Sequence, residues 1–504
     1  MIHTISTVLP SAFLLNFKGL EFLKVYALSL GCPKNLVDTE RFLADLVGKR
    51  WEVVAEPDEA DVLFLNTCAF LSEAVVESKK FLRDLIFVKK RFPEKKIYLA
   101  GCMVSRIGKS LLSEFPEIDR LITPQEIVLL PNRFLCTPSH YAYLKISDGC
   151  DNHCRYCLIP GLRGPLKSYP MERLIAEART LIAGGVREIN ICAQDTTSYG
   201  IDLYGKPVLD KLLREVCKIE DLRWVRLLYT YPTGYNEELI ETLAELASPS
   251  PRPLPRGERG NSSLLFPLPE RKKMNSLSSF PLSPEERGNT LLLSPLPTGE
   301  RMKVRGSLPG GVRGKLCPYL DIPLQHASDQ ILSAMNRHGS QKEYRKLIAK
   351  LRRAIPDLIL RTTFMVGYPG ETENDFQILL DFVEEMEFEK LGLFAYSAET
   401  GTPAADLPQV PQPLKEERLE RLGKVQAKIS RRKLKNFIGC EVEAVVEDVN
   451  PDDKKKSIGR TQFDAPEVDG SIILDRLFPV GTFVRVKVIG VDSYDLHGEV
   501  IQEL

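Results

Sequence analysis

The chain has 504 residues, 43% of them hydrophobic, which is long enough for about three domains with proper cores. Lys plus Arg and Asp plus Glu number 68 each, so the total charge indicates no class of partner. No apolar run approaches the roughly 20 residues that a membrane-spanning helix needs. The first residues lack the basic start and the small-residue cleavage site of a signal peptide, so we expect a cytoplasmic protein without a membrane partner.

Residues 1–22 are interpreted as an extension, and residues 23–136 alternate between strand and helix patterns. The apolar runs "KVYALSL", "DVLFLNT" and "KIYLAGC" are each followed by turn residues. Helical patterns such as "NLVDTERFLADLV" separate them. This alternation predicts an open parallel α/β sheet with helices on its faces.

A second series of strands and helices spans residues 137–410. Its six candidate strands are "YLKIS", "EINICAQ", "RWVRLLYT", "YLDIPLQ", "LRTTFMVG" and "KLGLFAYS", with helical segments between most of them. Six such units predict a full or partial (β/α) barrel. Chemistry in such barrels lies at the carboxyl ends of the strands.

Residues 249–315 interrupt this series with a Pro-rich repeat. They hold 11 of the 35 prolines, and "PLP" at 253 recurs at 267 and 295, with "PLS" at 281. A repeat this polar buries too little surface to offset its ordering entropy, which predicts a disordered insertion. A short solenoid is the alternative. The insertion falls in a helix-to-strand connection, on the face of the barrel away from the chemistry.

The end of the chain changes character again. A charged helix is predicted over 411–436, and the Val- and Ile-rich alternation of 437–504 predicts a small antiparallel β-barrel. This last segment carries 14 Asp and Glu against 7 Lys and Arg. RNA binding calls for a basic surface, so this module suits a basic protein partner better, and nucleic acid is not the expected primary target.

The chain holds eleven cysteines, an odd number that argues against a disulfide framework. Three of them, Cys150, Cys154 and Cys157, have the spacing C-x3-C-x2-C directly after the first barrel strand. Three thiolates can hold three irons of a [4Fe–4S] cluster and leave the fourth iron open. Zinc would want a fourth ligand, and His153 is poorly placed to supply it because it adjoins Cys154.

A second trio lies upstream, where Cys32, Cys68 and Cys102 each follow a predicted strand. A single cysteine at such a place is usually a buried small residue. The carboxyl ends of parallel strands, however, are where ligands of open α/β sheets gather, so the three together predict a second three-thiolate cluster. The remaining cysteines show no ligand spacing and are interpreted as packing residues; they are Cys136, Cys192, Cys217, Cys317 and Cys440.

The C-x3-C-x2-C loop, with Tyr156 before the third cysteine, resembles that of the radical S-adenosylmethionine (SAM) enzymes. In that family the amino and carboxylate groups of the cofactor chelate the open iron, and reductive cleavage yields a 5′-deoxyadenosyl radical. The three-part layout further resembles the methylthiotransferases, which carry a second cluster upstream and a C-terminal TRAM domain. The resemblance implies S-adenosylmethionine, two [4Fe–4S] clusters and an electron donor such as flavodoxin or ferredoxin.

Within that family, "SLGCPKNLVDTE", "AQDTTSYG", "PLQHAS", "GYPGET" and "GRTQFDAPEVDG" resemble the RimO branch. This branch implies methylthiolation of the β-carbon of an aspartate in ribosomal protein uS12, as the free protein or in the small ribosomal subunit. The alternative within the family is a tRNA adenosine methylthiotransferase. A zinc- or RNA-binding protein of similar layout, without catalysis, is the third hypothesis.

No catalytic residue is assigned from the sequence. The predicted cofactor-binding residues lie in or after the barrel strands and are Tyr156, Gln194, Asp195, Gly367 and Gly370. For Asp195 a simple strand-end turn is an open alternative, and for His326 a structural role is favoured over that of a general acid. Further pocket candidates are Arg226, Tyr229, Gln325, Tyr396 and Glu399.

Overall fold

The computed structural model describes residues 2–4, 22–127, 132–247 and 314–504. These residues form three packed units, and they confirm the predicted mixed α/β architecture that ends in a small β-barrel. The predicted insertion at 249–315 lies, apart from its last two residues, outside the described residues. None of the helices in these ranges combines the length and apolar character that a bilayer crossing requires.

The N-terminal unit is a six-stranded sheet of order β1-β2-β4-β5-β6, with β3 beside β2. All neighbours pair in parallel except β1, which pairs antiparallel with β2. The predicted strand 24–30 coincides with β2, and every residue of β4 is buried, as expected for a strand covered on both faces. The strands are β1 Ile2–Thr4, β2 Lys24–Leu30, β3 Glu52–Val53, β4 Val62–Thr67, β5 Lys96–Gly101 and β6 Arg120–Ile122. The helices are α1 Pro33–Gly48, α2 Ser72–Arg91, α3 Cys102–Ile107 and α4 Ser110–Glu114, with 3₁₀ turns at Pro57–Glu59 and Pro124–Glu126.

Helix α1 starts with Pro33, whose fixed φ suits a first helical turn. Unlike an ordinary surface helix it is buried on most sides, polar residues included, because it packs between its own sheet and the second unit. The buried charges on α1 are paired across this junction: Arg41 meets Glu177 at 3.0 Å, and Glu40 meets Arg133. Pairing is what makes such burial tolerable.

The central unit is a six-stranded parallel sheet of order β14-β13-β12-β11-β10-β7. Within the described residues β7 and β14 do not pair with each other, so the unit is a partial barrel. Its helices pack on the outer face around the largest apolar core of the described chain. The strands are β7 Tyr141–Lys145, β8 Ser147–Asp148, β9 Lys167–Ser168, β10 Glu188–Cys192, β11 Trp224–Leu227, β12 Leu316–Asp321, β13 Ile359–Val366 and β14 Lys390–Ala395, of which β8 and β9 form a separate ladder. The helices are α5 Ile159–Arg163, α6 Met171–Ala183, α7 Ile201–Tyr204, α8 Leu209–Cys217, α9 Glu237–Leu246, α10 Asp329–Ala334, α11 Gln341–Ala354 and α12 Glu373–Met386, with a 3₁₀ turn at Pro232–Gly234.

Helix α13, Gln412–Lys435, leads into a closed five-stranded barrel of order β15-β16-β17-β19-β18. Four of the strands match the alternating runs of the sequence, which are "CEVEAVVEDV", "SIILD", "TFVRVKVIGV" and "LHGEVI", whereas the sequence prediction missed β16. The strands are β15 Glu441–Val449, β16 Ser457–Thr461, β17 Ile472–Leu474, β18 Phe483–Val491 and β19 Leu496–Glu503.

The C-terminal barrel packs against the central sheet through buried ions. Glu188, at the start of β10, binds Arg460 of the barrel at 2.6 Å and Arg226 of β11 at 3.2 Å. Tyr319 donates to Asp469 at 2.7 Å. Some carboxylates of residues 437–504 are therefore buried at this junction, so the net charge counted from the sequence of this segment exceeds the charge on its surface. The exposed residues of the segment still comprise eight acidic and four basic side chains.

The residues immediately before and after 248–313 lie side by side. Ala247, which follows α9, forms a parallel bridge with Leu316 at the start of β12. The N–H of Gly314 donates to the carbonyl of Leu246 at 3.3 Å. Whatever connects them thus leaves and rejoins the central unit at one point, at the amino end of β12.

The Glu188 junction yields a stability prediction. Glu188→Gln leaves two buried guanidinium groups without their shared carboxylate, which we expect to cost on the order of 3 kcal/mol. The measurement is the urea midpoint followed by tryptophan fluorescence, since Trp224 packs 5.0 Å from Phe483 at this junction. Glu441→Gln, at an exposed barrel position, is the matched control and should stay within about 0.5 kcal/mol of the parent. Equal midpoints for both variants would contradict the prediction.

Candidate active site

The loop with Cys150, Cys154 and Cys157 is closed at its base by the short antiparallel ladder of β8 and β9. Gly149 begins the loop with a φ of +69°, and a Cβ there would lie 1.9 Å from the carbonyl oxygen of Pro165. Only glycine allows this approach of the two loop arms. The N–H of Cys150 then donates to Gly164 at 3.2 Å, so the loop leaves the sheet on a fixed path.

The three thiols of this loop are surrounded by hydrogen-bond donors. Asn152 Nδ2 lies 3.4 Å from the sulfur of Cys150, the N–H of Ile159 lies 3.4 Å from that of Cys157, and an arginine, Arg337, lies 3.8 Å from that of Cys154. Burial nevertheless raises the pKa of Cys150 to about 11 and that of Cys157 to about 12. A metal charge would be needed to hold these two groups as thiolates, which is how coordinating thiols behave.

A segment at the end of α10 fixes the conformation of this loop. The carbonyl of Met335 accepts from the N–H of Arg155 at 2.9 Å, and Asn336 donates to the carbonyl of His153 at 2.9 Å. The side chain of His153 itself is exposed. Spacing in the sequence gave no signal for these contacts, since the two segments lie some 180 residues apart.

The second trio lies at the carboxyl ends of β2, β4 and β5, as the sequence predicted. Cys32 is the N-cap residue of α1, Cys68 follows β4 and Cys102 begins α3. A Cβ on Gly31 would lie 2.9 Å from the sulfur of Cys68. The chain at the end of β2 can therefore approach this thiol only because residue 31 is glycine. The trio thus occupies one edge of the sheet.

Asn35 connects the three strand ends. Its Nδ2 donates to the carbonyls of Leu30 at 2.9 Å and Thr67 at 3.0 Å, while its Oδ1 lies 3.8 Å from the sulfur of Cys102. It belongs to the "GCPKN" motif, but the sequence reading had singled out only the cysteine.

The three thiols of this trio differ in acidity. Burial alone would raise the pKa of Cys32, but the cations of Lys34 and Arg163 and two backbone N–H groups bring it below the usual value. Burial and the neighbouring thiols raise the pKa of Cys68 to about 11. Burial also raises the pKa of Cys102. The nearby cations therefore favour the thiolate of Cys32, whereas burial favours the neutral thiols of Cys68 and Cys102.

The two trios are joined by α5, the helix that follows Cys157. Leu162 of α5 packs in the same apolar cluster as Cys102. Arg163, at the end of α5, donates to Asn35 and to Asp38 of α1. The loop of the central unit and the strand ends of the N-terminal unit are therefore held against each other.

Each trio consists of thiols alone, and thiolates are the ligands of iron–sulfur clusters. Within the described residues no three Cys, His, Asp or Glu side chains are gathered closely enough to hold one metal ion. A cubane takes one thiolate at each of several irons, so its ligands stand further apart than those of a mononuclear zinc site.

The predicted cofactor-binding residues divide by their contacts. The amide of Gln194 is buried, and in the described chain neither its oxygen nor its nitrogen has a hydrogen-bond partner, which suits a polar ligand. Asp195 instead accepts hydrogen bonds from Thr197, Ser198 and Asn152, so its carboxylate orders the strand-end turn beside the cysteine loop. Its predicted contact with a cofactor stays a prediction.

The "GYPGE" turn contains the other two predicted glycines. A Cβ on Gly367, whose φ is +73°, would lie 2.3 Å from Cγ of Lys415, so glycine is needed for the approach of α13. Gly370, with a φ of +86°, faces open space. Nearby, Tyr156 receives a hydrogen bond from Arg337 and meets Tyr368 edge-on, with ring centroids 6.5 Å apart.

Other sequence candidates have structural roles. Arg226 pairs with Glu188 in the ionic junction between the central sheet and the C-terminal barrel. The ammonium of Lys34 lies 3.5 Å from the ring centroid of Tyr229. Glu399 accepts hydrogen bonds from Ser72 and Arg106 of the N-terminal unit. His326 is fully buried, and its Nδ1 accepts the N–H of Ser328 at 2.9 Å. Burial lowers the pKa of His326 to about 3, so the ring is neutral and supports the structural reading.

Three family models match the chain. The Uncharacterized protein family UPF0004 covers residues 24–123, the Radical SAM superfamily covers 144–251 and 311–383, and the TRAM domain covers 438–501. A relative from Geobacter sulfurreducens, ribosomal protein uS12 methylthiotransferase RimO, is 37% identical over 95% of this chain and 98% of its own. The corresponding protein of Desulforamulus reducens is 38% identical over 94% of this chain and 99% of its own.

This chain belongs to the RimO family. It is accordingly a radical SAM methylthiotransferase, an enzyme class that uses S-adenosylmethionine and a [4Fe–4S] cluster. The central partial barrel corresponds to the radical SAM match and the closed five-stranded barrel to the TRAM match. The solved structure of the radical S-adenosylmethionine methyltransferase TsrM from Kitasatospora setae matches this chain with a TM-score of 0.48 at 11% identity, covering 77% of each chain.

The buried neutral His326 yields a pH prediction. Its pKa in the fold, about 3, lies below the unfolded value of about 6.5. The stability it contributes is therefore present above pH 6.5 and is lost as the pH falls toward 3. We expect the stability of the parent relative to His326→Asn, which keeps an acceptor for Ser328 but does not titrate, to fall below pH 6.5 by up to about 1.4 kcal/mol per pH unit. Urea unfolding between pH 5 and 8 tests this, and parallel curves for the two proteins would refute it.

Proposed function

We propose that this enzyme transfers a methylthio group to the β-carbon of an aspartate in ribosomal protein uS12. The loop trio Cys150, Cys154 and Cys157 would hold the [4Fe–4S] cluster that binds S-adenosylmethionine. The strand-end trio would hold a second [4Fe–4S] cluster, and it consists of Cys32, Cys68 and Cys102. When bound, these groups supply the methyl group, the sulfur and the radical that removes a substrate hydrogen.

The observation that carries the proposal is that α5, which follows the loop trio, packs against the elements that bear the strand-end trio. Each trio offers three thiols, which suits a cluster with one open iron. The α5 contacts with α1 and α3 keep the two trios together, as a reaction that combines a radical with a sulfur donor requires. Two clusters at unconnected places could not act on the same carbon.

The chain's own residues would orient the cofactor and exclude water. The unpartnered amide of Gln194 supplies both a donor and an acceptor at the carboxyl end of β10. Asp195 holds Asn152, and Asn152 in turn donates toward Cys150, so the turn after β10 fixes one arm of the cysteine loop. The rings of Tyr156 and Tyr368 would shield another side of the cofactor from water.

The choice of a protein substrate has two supports. The relatives at 33–38% identity carry the name of ribosomal protein uS12 methylthiotransferase. The exposed charges of the C-terminal barrel are mostly acidic, which repels RNA phosphates and attracts basic ribosomal proteins. We further propose that the enzyme acts in the cytoplasm on uS12 or the small ribosomal subunit, with electrons from a flavodoxin or ferredoxin.

The cluster assignment predicts iron contents. The anaerobically reconstituted enzyme should contain about eight irons per chain, and Cys154→Ala and Cys68→Ala should each keep about half. Cys440→Ala is the matched control, because Cys440 lies outside both trios and should keep the full content. Iron and sulfide analysis measures this. A colourless parent protein, or a single variant that loses all iron, would end the two-cluster proposal.

The substrate assignment predicts a covalent product. Incubation of the reconstituted enzyme with uS12, S-adenosylmethionine and a reductant should replace one hydrogen of uS12 by a methylthio group, and fragmentation should locate it on an aspartate. Cys150→Ala should give no product above background, because its loop trio is incomplete. A modified adenosine in tRNA together with unchanged uS12 would favour the tRNA alternative instead.

A further inference from the structure

Arg337 lies where the segment after α10 meets the cysteine loop. Residues 335–337 form hydrogen bonds with each of residues 153–156, through backbone or side-chain atoms. Arg337 supplies two of these contacts, at 3.1 Å to the hydroxyl of Tyr156 and 3.8 Å to the sulfur of Cys154. The same guanidinium also donates to the carbonyl of Pro323 at 2.6 Å.

The charge of Arg337 lacks an anionic partner of the usual kind. The residue is only 8% exposed, and within the described part of the chain it forms no ion pair with a carboxylate. Its guanidinium instead faces Tyr231, 4.6 Å from the ring centroid. A buried cation is costly unless an opposite charge compensates it. The candidate anion within reach is the thiolate of Cys154 together with the cluster it would hold.

A cluster at this loop gives the buried cation its missing counter-charge. The three thiolates make such a cluster anionic, and reduction adds one more negative charge. A fixed cation and an N–H donor next to a ligating sulfur stabilise the reduced state more than the oxidised state. Hydrogen bonds to the sulfurs and net charge are among the factors that set cluster potentials.

We propose that Arg337 is a positioning residue that orients the cysteine loop and raises the reduction potential of its cluster through the sulfur of Cys154. The inference rests on the proposed assignment of a [4Fe–4S] cluster to Cys150, Cys154 and Cys157. It makes Arg337 part of the machinery that lets a physiological electron donor reduce this cluster. A purely structural arginine would hold the loop but leave the potential unchanged.

The test is a potentiometric titration of the reconstituted full-length enzyme, followed by electron paramagnetic resonance. Arg337→Met keeps much of the side-chain length but removes the charge and the donors. At a fixed potential we expect its ratio of reduced to oxidised cluster to fall about tenfold, which corresponds to about 59 mV for one electron. The strand-end cluster in the same molecule is an internal control and should not shift. Added S-adenosylmethionine perturbs the spectrum of the loop cluster and identifies it.

Three further variants separate charge from packing. Arg337→Lys keeps the charge and should restore a potential close to that of the parent. Arg353→Met, at an exposed position of α11, is the matched control and should change nothing. If Arg337→Met loses iron, Arg337→Gln replaces it, and a lowered potential is again expected because the charge is gone.

The results that would overturn the role of Arg337 differ from those that would overturn the proposed function. A parent enzyme without iron defeats the cluster assignment itself. A parent with two clusters whose loop potential is unchanged in Arg337→Met, or in Arg337→Gln if the first variant loses iron, overturns the role of Arg337 alone. An equal shift in Arg337→Lys and Arg337→Met, with iron retained, also overturns it, because the charge would then be irrelevant.

Discussion

The buried guanidinium of Arg163 ties the two cysteine-bearing units together. It donates to Asp148 at 2.6 Å and to Asp38 of α1 at 3.0 Å, and Lys145 binds the same two carboxylates. All four side chains are largely removed from water, where ion pairs are favourable only when every charge is satisfied. The relative position of the two trios is therefore fixed by directional charge pairs rather than by adaptable apolar packing alone.

The cysteines within each trio are positioned by local structure, whereas the two trios are positioned relative to each other by these charge pairs. The strand-end trio depends on parallel strands, whose carboxyl ends place distant cysteines at one edge. The loop trio depends on a short ladder and a glycine that brings its arms together. Chemistry that combines the two trios needs them adjacent. Arg163 and α5 supply that adjacency.

Much of this layout could be predicted from the sequence, because it follows from local periodicity. β2 and the strand ends with their cysteines could be identified because apolar runs and turn residues mark them directly. β16 was missed because it contains a glycine and polar residues, and the burial of Arg460 depends on Glu188, 272 positions away. Arg337 was missed for the same reason, since its contact with Cys154 spans 183 positions. Pair contacts of this range leave no spacing signature in a single sequence.

The side chains near the cofactor were the least predictable part. The clues to Gln194 and Asp195 were their position at a strand end and the family resemblance of "AQDTTSYG", and both clues are the same for the two residues. Their difference arises from neighbours: donors in the following turn bind the carboxylate of Asp195, whereas no hydrogen-bonding group among the described residues reaches the amide of Gln194. Likewise, burial decides that the ring of His326 is neutral and structural rather than a general acid. Burial is a property of the whole fold, so a single sequence does not show it.

The bridge between Ala247 and Leu316 gives the molecule a natural splice point. Chain that leaves and returns at the same place can change length at little cost, since the entropy of closing a loop grows only slowly with its length. The joint lies at the amino end of β12, opposite the cysteine loop. A reporter domain or an affinity handle spliced there would leave both termini native and keep clear of the reaction chamber.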